Sequence, residues 1–247
     1  MIISPRSFKC DFQDNTCSIR YYNNAIKLVT KTRLLAVVIG NRLSWSDQVD
    51  AVCSKVGRKI GALQRSIRQL SLPARQAFLL SVIQPDLEYA ASATVFSMSA
   101  SLRDRLIAVW KRAVRCAAGA GSFESFQPLL KDLRITPLIH RWILQLATLV
   151  RRCQRGAAPA ILVDRLITTS HSYSTCGCDS TFRPPLCTSL SGSASFSNRA
   201  PSLRNASPRE VRNAPSPSAF KSKLLSSLTN FDLSQKKKIC FRNPALI

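Results

Sequence analysis

Two groups of side chains in this sequence could do chemistry, and they differ sharply in number. Carboxylates are scarce: the 13 acidic residues include no adjacent pair, and their closest helical approach is Asp47 with Asp50. Two-metal phosphoryl transfer needs carboxylates that converge on two Mg²⁺ ions about 4 Å apart. A pair near a helix start is explained better by the positive end of the helix dipole. Cys176-Gly177-Cys178, with His171 and Cys187 nearby, has an unusual C-x-C spacing for zinc, and its serine-rich setting reads as free thiols. His140, two residues before Trp142 on an amphipathic pattern, reads as a core or surface histidine rather than a base. Neither a Gly-rich phosphate loop nor a G-x-S-x-G elbow occurs. The expectation is that this chain is no enzyme, with no catalytic residues, no metal ligands and no cofactor.

Cations are abundant. The chain of 247 residues carries 36 Lys and Arg, a formal charge of +23 and a pI near 10.5. Such a balance points to a polyanion, nucleic acid first and an anionic membrane surface second. The residues placed to meet it are Lys55, Arg58, Lys59, Arg65 and Arg68, then Arg103, Lys111, Arg112 and Arg115. Each phosphate neutralised releases condensed counterions, so affinity would be salt-dependent and indifferent to sequence. Arginine outnumbers lysine, which suits forked contacts to phosphate oxygens.

These cations need helices to line them up. Val49, Val52, Val56, Ile60, Leu63, Ile67 and Leu70 recur at spacings of three and four, the period of one buried stripe. Ser44 with Asp47 signals the start of that helix, which is expected to end near Leu70. Ser71 and Pro73 open a second helix that should stop before Pro85, because a residue preceding proline is pushed out of the α region. A third follows from Pro85-Asp86 through Leu87, Tyr89 and Ala90. A fourth runs from Ser99 or Ser101 to Gly119, with Leu102, Leu106, Val109 and Ala113 inward and Arg103, Arg105, Lys111, Arg112 and Arg115 mostly outward. A short helix over Pro128 to Leu133 and a longer one from Thr136-Pro137 to Cys153 complete this part.

Ahead of the helices, Ser18 to Tyr22 and Ile26 to Val29 read as strands around an Asn23-Asn24 turn, and Leu34 to Ile39 as a third strand closed by Gly40-Asn41. After Ile167 the composition turns to Ser, Thr, Pro and Asn up to Pro217, a linker or loosely held extension. A last helix near Ser218 to Leu228 could dock through Phe220, Leu224 and Leu228, and Lys236-Lys237-Lys238 follows. The expected class is mainly α: a short β element (1–42), a basic helical domain (43–167), a Ser/Pro-rich, partly disordered stretch (168–217), and a terminal helix with a basic tail (218–247). No run approaches the roughly 20 apolar residues of a membrane span, no signal peptide is visible, and the nine scattered cysteines fit reduced thiols. An intracellular protein is expected, with nucleus and cytoplasm not distinguished.

Taken in order, the phrases LSWSDQVDAVCSKVGRKIGAL, SVIQPDLEYAAS, LRDRLIAVWKRAVRCAAGA and FSNRAPSLRNASPREVRNAPSPSAFKSKLL resemble the C-terminal part of the reverse transcriptases of non-LTR (LINE, Jockey-like) retrotransposons. The likeness covers nearly the whole chain, from just after the palm's catalytic core to about Leu228. It implies that residues 1–42 end a palm with a primer-grip-like strand, K/R-x-L-G-V in the family and Arg33-Leu34-Leu35-Ala36-Val37 here, with Arg33, Leu35 and Ala36 as the grip. It implies further that 43–167 is a thumb holding RNA, DNA or an RNA/DNA hybrid by its backbone. The family's Tyr/Phe-x-Asp-Asp is absent, so the polymerase and its Mg²⁺ belong to a missing palm domain. This sequence departs from the family at Ala36 (a glycine there), at Gly40 (an acidic residue), around Val95-Phe96 (a tryptophan) and at Arg204-Asn205 (Trp-Asn). These departures read as drift in a degraded copy that bears on activity more than on fold, although the methyl of Ala36 could instead simply fill a small cavity. Two alternatives stand beside this reading: the thumb of a full active reverse transcriptase whose upstream half is missing from this reading frame, and a basic amphipathic-helix protein that binds anionic membranes or a protein partner.

Overall fold

The computed structural model describes residues 20–22, 24–25, 29–121, 123–166, 181–188 and 190–230. At the N-terminal end β1 (Arg20–Tyr21) pairs antiparallel with β2 (Asn24–Ala25), in the register Arg20↔Ala25 and Tyr21↔Asn24. Asn24, expected in the turn, is paired in β2 instead, and residues 18–19, 23 and 26–28 of the expected strands and turn lie outside the described residues.

Leu34 to Ile39 does not form the single strand expected of it. The run folds back on itself, with β3 (Lys31–Leu34) antiparallel to β4 (Val37–Gly40). The two residues between them, Leu35 and Ala36, both have positive φ, 47° and 62°, the signature of a type I′ hairpin turn. Ala36 is exposed, so its methyl fills no cavity. An unbroken apolar strand would need cover on both faces, and the helices cover little of this one: Val37 alone is buried, while Leu34 and Leu35 stay 58% and 80% exposed. The hairpin is tied down by two hydrogen bonds. The Val38 N–H donates to Gln48 Oε1 at 2.8 Å, and the Tyr89 hydroxyl donates to the Leu35 carbonyl at 2.7 Å.

The apolar stripe becomes α1 (Ser46–Ser66), burying Val49, Val56, Ile60 and Leu63. Its N-cap is Trp45 in a left-handed conformation, φ 61°, without a side-chain cap. Ser44 does not cap: its hydroxyl lies 3.1 Å from that of Ser46. Asp47 occupies the first turn as expected, but Asp50 pairs with Arg105 on a later helix at 2.5 Å.

After Ser71 the chain enters α2 (Leu72–Phe78) and does not stop before Pro85. A π-helical turn, Leu79–Ile83, leads directly into α3 (Gln84–Glu88). In a regular helix the proline ring would strike the carbonyl four residues back. The widened turn moves that carbonyl aside, so one bent helical path continues through the proline. The path ends where Tyr89 turns extended (ψ 127°) and Ala90 left-handed (φ 54°), and α4 (Ala91–Thr94) with a 3₁₀ turn, Val95–Ser97, follows.

α5 (Ala100–Ala118) starts at Ser99, whose hydroxyl accepts the Leu102 N–H at 3.4 Å, and stops at left-handed Gly119. It lies along α1 and closes the core with Leu106, Trp110, Ala113, Val114 and Ala117. α6 (Phe126–Asp132) and α7 (Leu138–Gln154) add Leu129, Leu130, Trp142, Ile143 and Leu146. Residues Leu87 to Tyr89 join the layers. The Leu87 carbonyl accepts from Trp142 Nε1 at 3.0 Å, Glu88 accepts from Arg141 and Gln145 of α7, and Tyr89 holds the hairpin.

The Ser/Pro-rich part is more ordered than its composition suggests. Beyond α8 (Ala160–Val163), its described residues include α9 (Leu190–Ser193), α10 (Phe196–Ala206) and α11 (Arg209–Arg212), followed by α12 (Pro217–Asn230). A few apolar residues suffice for docking: Ala200, Leu203, Val211, Ala214, Phe220 and Leu224 are all buried. Arginine does the rest. Arg151 of α7 donates to the Ala214 carbonyl at 2.5 Å and lies 4.8 Å from the centre of the Phe220 ring, and Arg155 donates to Pro215 at 2.8 Å. Residues 167–180, 189 and 231–247, and with them the basic run at 236–238, lie outside the described residues.

Candidate nucleic-acid interface

The nine basic residues expected to face a polyanion do not form one surface. Lys55 and Lys59 turn toward α3 and bracket Asp86, at 2.9 and 2.6 Å. Lys59 also donates to the Val82 carbonyl at 2.7 Å, inside the π-helical turn. Burial pushes the Asp86 carboxyl up, but the hydrogen bonds and charges of Lys59 and Lys55 outweigh it and hold it below the ordinary carboxylate value. These lysines clamp α1 to the bent helix and are spoken for.

Arg103 departs furthest from expectation. Expected outward, it is buried and donates to the Met98 carbonyl at 2.5 Å. Its place on the helix explains this: it precedes Leu106 by three residues and Trp110 by seven, on the core stripe itself. Burial, and then the charge of Arg199, lowers its pKa from the ordinary arginine value. Lys111 is exposed but leans over the Phe126 ring, 5.8 Å from its centre.

Arg58 and Arg65 on α1, and Arg68 just beyond its end at Ser66, are exposed, with no ion pair to any described residue. Arg112 and Arg115 line a groove of about 790 Å³ between α1 and α5, and Arg65 reaches it beside Gly61, while Arg58 and Arg68 lie outside its lining. Its α1 side is Gly57, Ile60, Gly61, Gln64 and Ile67. Among the described residues no carboxylate lines it, and Glu124 turns its carboxylate to the Gly121 N–H at 2.7 Å. The Cys116 thiol sits in the groove, raised by burial against the opposing pull of Arg112 and Arg75, so it is protonated at neutral pH.

Arg75 is a residue that sequence reasoning passed over. Its Nε donates to the Leu70 carbonyl at 2.9 Å, and its Nη1 would lie 3.1 Å from a Cβ placed on Gly119. It comes from α2, and no periodicity links it to α1 or α5. Gly57 and Gly61 were missed too, although two glycines four apart inside a strong helix were a visible signal.

The grip residues Arg33, Leu35 and Ala36 are all exposed on the β3–β4 hairpin, which packs at the start of α1. The groove begins near Gly57, about 14 Å further along that helix at 1.5 Å per residue from Gln48. The structure does not bring the two together. Of the proposed thiol cluster, Cys176, Cys178 and His171 lie outside the described residues, and exposed Cys187 accepts from Asn198 at 2.8 Å. His140 is buried in α7. Among the described residues no three His, Cys, Asp or Glu side chains converge as metal ligands, and no helix is long and apolar enough to cross a membrane. What this arrangement can do chemically is hold a polyanion by forked hydrogen bonds and charge. Neither a family model, nor a curated protein, nor a solved structure matches the chain.

Proposed function

We propose that this chain is the post-palm, C-terminal part of a non-LTR retrotransposon reverse transcriptase, catalytically incomplete by itself, and that it binds RNA, DNA or an RNA/DNA hybrid by the phosphate backbone. The observation that carries the binding is the meeting of Arg112 and Arg115 of α5 with Arg65, whose guanidinium lies beside Gly61, at one groove with no carboxylate among its described lining residues, in a chain of net charge +23. Ordinary solvated faces mix charges of both signs.

Three features of the fold support the retrotransposon likeness. The family's glycine falls at Ala36, where φ is +62°, a conformation that favours glycine. The Leu87-Glu88-Tyr89-Ala90 phrase reads as a hub: three of its residues bond to the hairpin or α7, and the fourth is left-handed. At the place of the family's Trp-Asn, Arg204 lies 4.7 Å from the centre of the Phe182 ring, while Asn205 exchanges two hydrogen bonds with the Phe182 backbone. A second reading, the thumb of a longer active polymerase, is favoured by the uncovered Leu34 and Leu35 of the hairpin, apolar surface that an upstream palm would bury.

Hybrid affinity measured across a salt series tests the binding. With Arg58, Arg65 and Arg112 changed to Glu, affinity should fall and the salt slope flatten by about one unit per lost phosphate contact. An unchanged slope refutes the assigned face. Sequencing the genomic DNA and transcript upstream of the Met1 codon separates the two readings: an in-frame Tyr/Phe-x-Asp-Asp selects the longer polymerase, and a stop or frameshift selects the incomplete fragment.

A further inference from the structure

We propose that the groove between α1 and α5 seats the sugar-phosphate backbone of one nucleic-acid strand, with its bases turned away from the protein. This rests on the nucleic-acid reading above and says where on the molecule, and by which part of the ligand, binding occurs.

The first observation is the pair Gly57 and Gly61. Glycine is the poorest residue after proline for a helix interior, and both sit in the middle of a 21-residue helix. Packing does not demand them. A Cβ on Gly57 would approach nothing closer than Arg112 Nη2 at 3.5 Å, and one on Gly61 nothing closer than Arg65 Nη1 at 3.8 Å. Both distances are ordinary van der Waals contact, so alanine would fit against its neighbours. What the missing side chains leave is a bare floor, one helical turn long, flanked by the two guanidiniums just named. A backbone that must come close to a helix surface uses such a floor.

The second observation is the polar character of the walls. Arg112 and Arg115 stand on the α5 side. The Arg115 Nε is buried and makes no hydrogen bond, although its Nη2 donates to the Glu124 carbonyl at 3.4 Å. That Nε is closed off from a ligand, and the guanidinium open to a phosphate oxygen is that of exposed Arg112.

The third is what the walls lack. Among the described residues no aromatic ring lines the groove, and strands held by their bases are held by stacking on aromatic side chains. Donors without stacking platforms select phosphate and sugar, which carry no sequence information.

The test fills the floor and keeps every charge. The variant Gly57→Leu/Gly61→Leu replaces two poor helix formers with good ones, and circular dichroism reports whether α-helix content is kept. Binding of a fluorescent RNA/DNA hybrid, and of each of its strands alone, is measured for this variant, for Arg58→Glu/Arg68→Glu and for the unaltered chain. Alkylation of Cys116 by iodoacetamide is followed by mass spectrometry, with exposed Cys187 as the internal control. The proposal expects the filled variant to lose at least tenfold in affinity. It also expects nucleic acid to slow alkylation of Cys116 but not of Cys187, and affinity to change less than threefold when the base sequence is changed. If leucine disturbs the fold, Gly57→Ala/Gly61→Ala takes its place, with a loss of about threefold expected. A filled variant that binds as the unaltered chain does, while Arg58→Glu/Arg68→Glu loses affinity, overturns the groove and leaves the nucleic-acid reading standing. Strong base-sequence dependence overturns the backbone seat. Failure of the unaltered chain to bind any of the three probes overturns the nucleic-acid reading and the groove with it.

Discussion

The two sides of α1 carry the same kind of charge and do different work. On one, Lys55 and Lys59 close on Asp86, and Lys59 also reaches a carbonyl in the π-helical turn. On the other, Arg58 and Arg65 project without a counter-ion among the described residues, Arg65 beside Gly61 of the groove. The Lys59 and Asp86 side chains retain 28% and 12% of their exposure, so this pair is partly desolvated and worth more than a surface salt bridge. A cation next to a carboxylate on a neighbouring helix belongs to the fold, and a cation with none is available to a ligand. Charge count alone merges the two.

This contrast can be broken in graded ways. The largest effect should come from Asp86→Ala, which strands Lys59 in a partly buried site. About 2 kcal/mol of stability should go, less than for a fully buried pair, read as a lower urea midpoint. Hybrid affinity should be nearly unchanged at temperatures where the variant stays folded. A variant that loses binding and keeps its stability would reverse the assignment of the two sides.

Acid should act on the same side. The folded-state pKa of Asp86 lies below its unfolded value. Its stabilisation is therefore complete above the unfolded pKa of about 3.9 and is lost as pH falls through the lower, folded one. Between pH 5 and the acid transition, the unaltered chain should lose stability more steeply than Asp86→Asn. Equal slopes would remove Asp86 from the clamp.

On the groove side the sign should turn over. Gly61→Ala adds a methyl where the nearest atom is 3.8 Å away and should raise stability by about 0.5–1 kcal/mol through helix propensity. A drop in melting temperature would show that the glycine is needed for packing. The smallest stability effect belongs to Arg58→Ala, which should stay within about 0.5 kcal/mol while the salt slope of hybrid binding flattens by about one unit.

Much of the helical framework was legible because its signals are local. The stripe of α1, the starts at Ser71 and Ser99, the stop at Gly119 and the docking of α12 through Phe220 and Leu224 all follow from spacing and caps. Failures occurred where a local rule met tertiary compensation. Pro85 should have ended a helix, and a π-helical turn carried the chain through it. Leu34 to Ile39 has the composition of a strand, and a turn at two non-glycine residues folded it in half. The serine-rich stretch near 196–212 lacks a strong apolar period, and it is helical where α7 offers α10 a surface and α12 offers one to α11.

By itself the sequence determined that the protein is mainly helical and strongly cationic, because periodicity and net charge survive any arrangement of the elements. Only the tertiary structure decided which cations are free. Asp86 is 27 residues from Lys59, Arg103 looks like its exposed neighbours until Leu106 and Trp110 are buried, and Arg75 reaches the groove from another helix. Whether a charged side chain is clamped, buried or open depends on what stands within a few ångströms of it, and for residues far apart in the chain that is settled by packing.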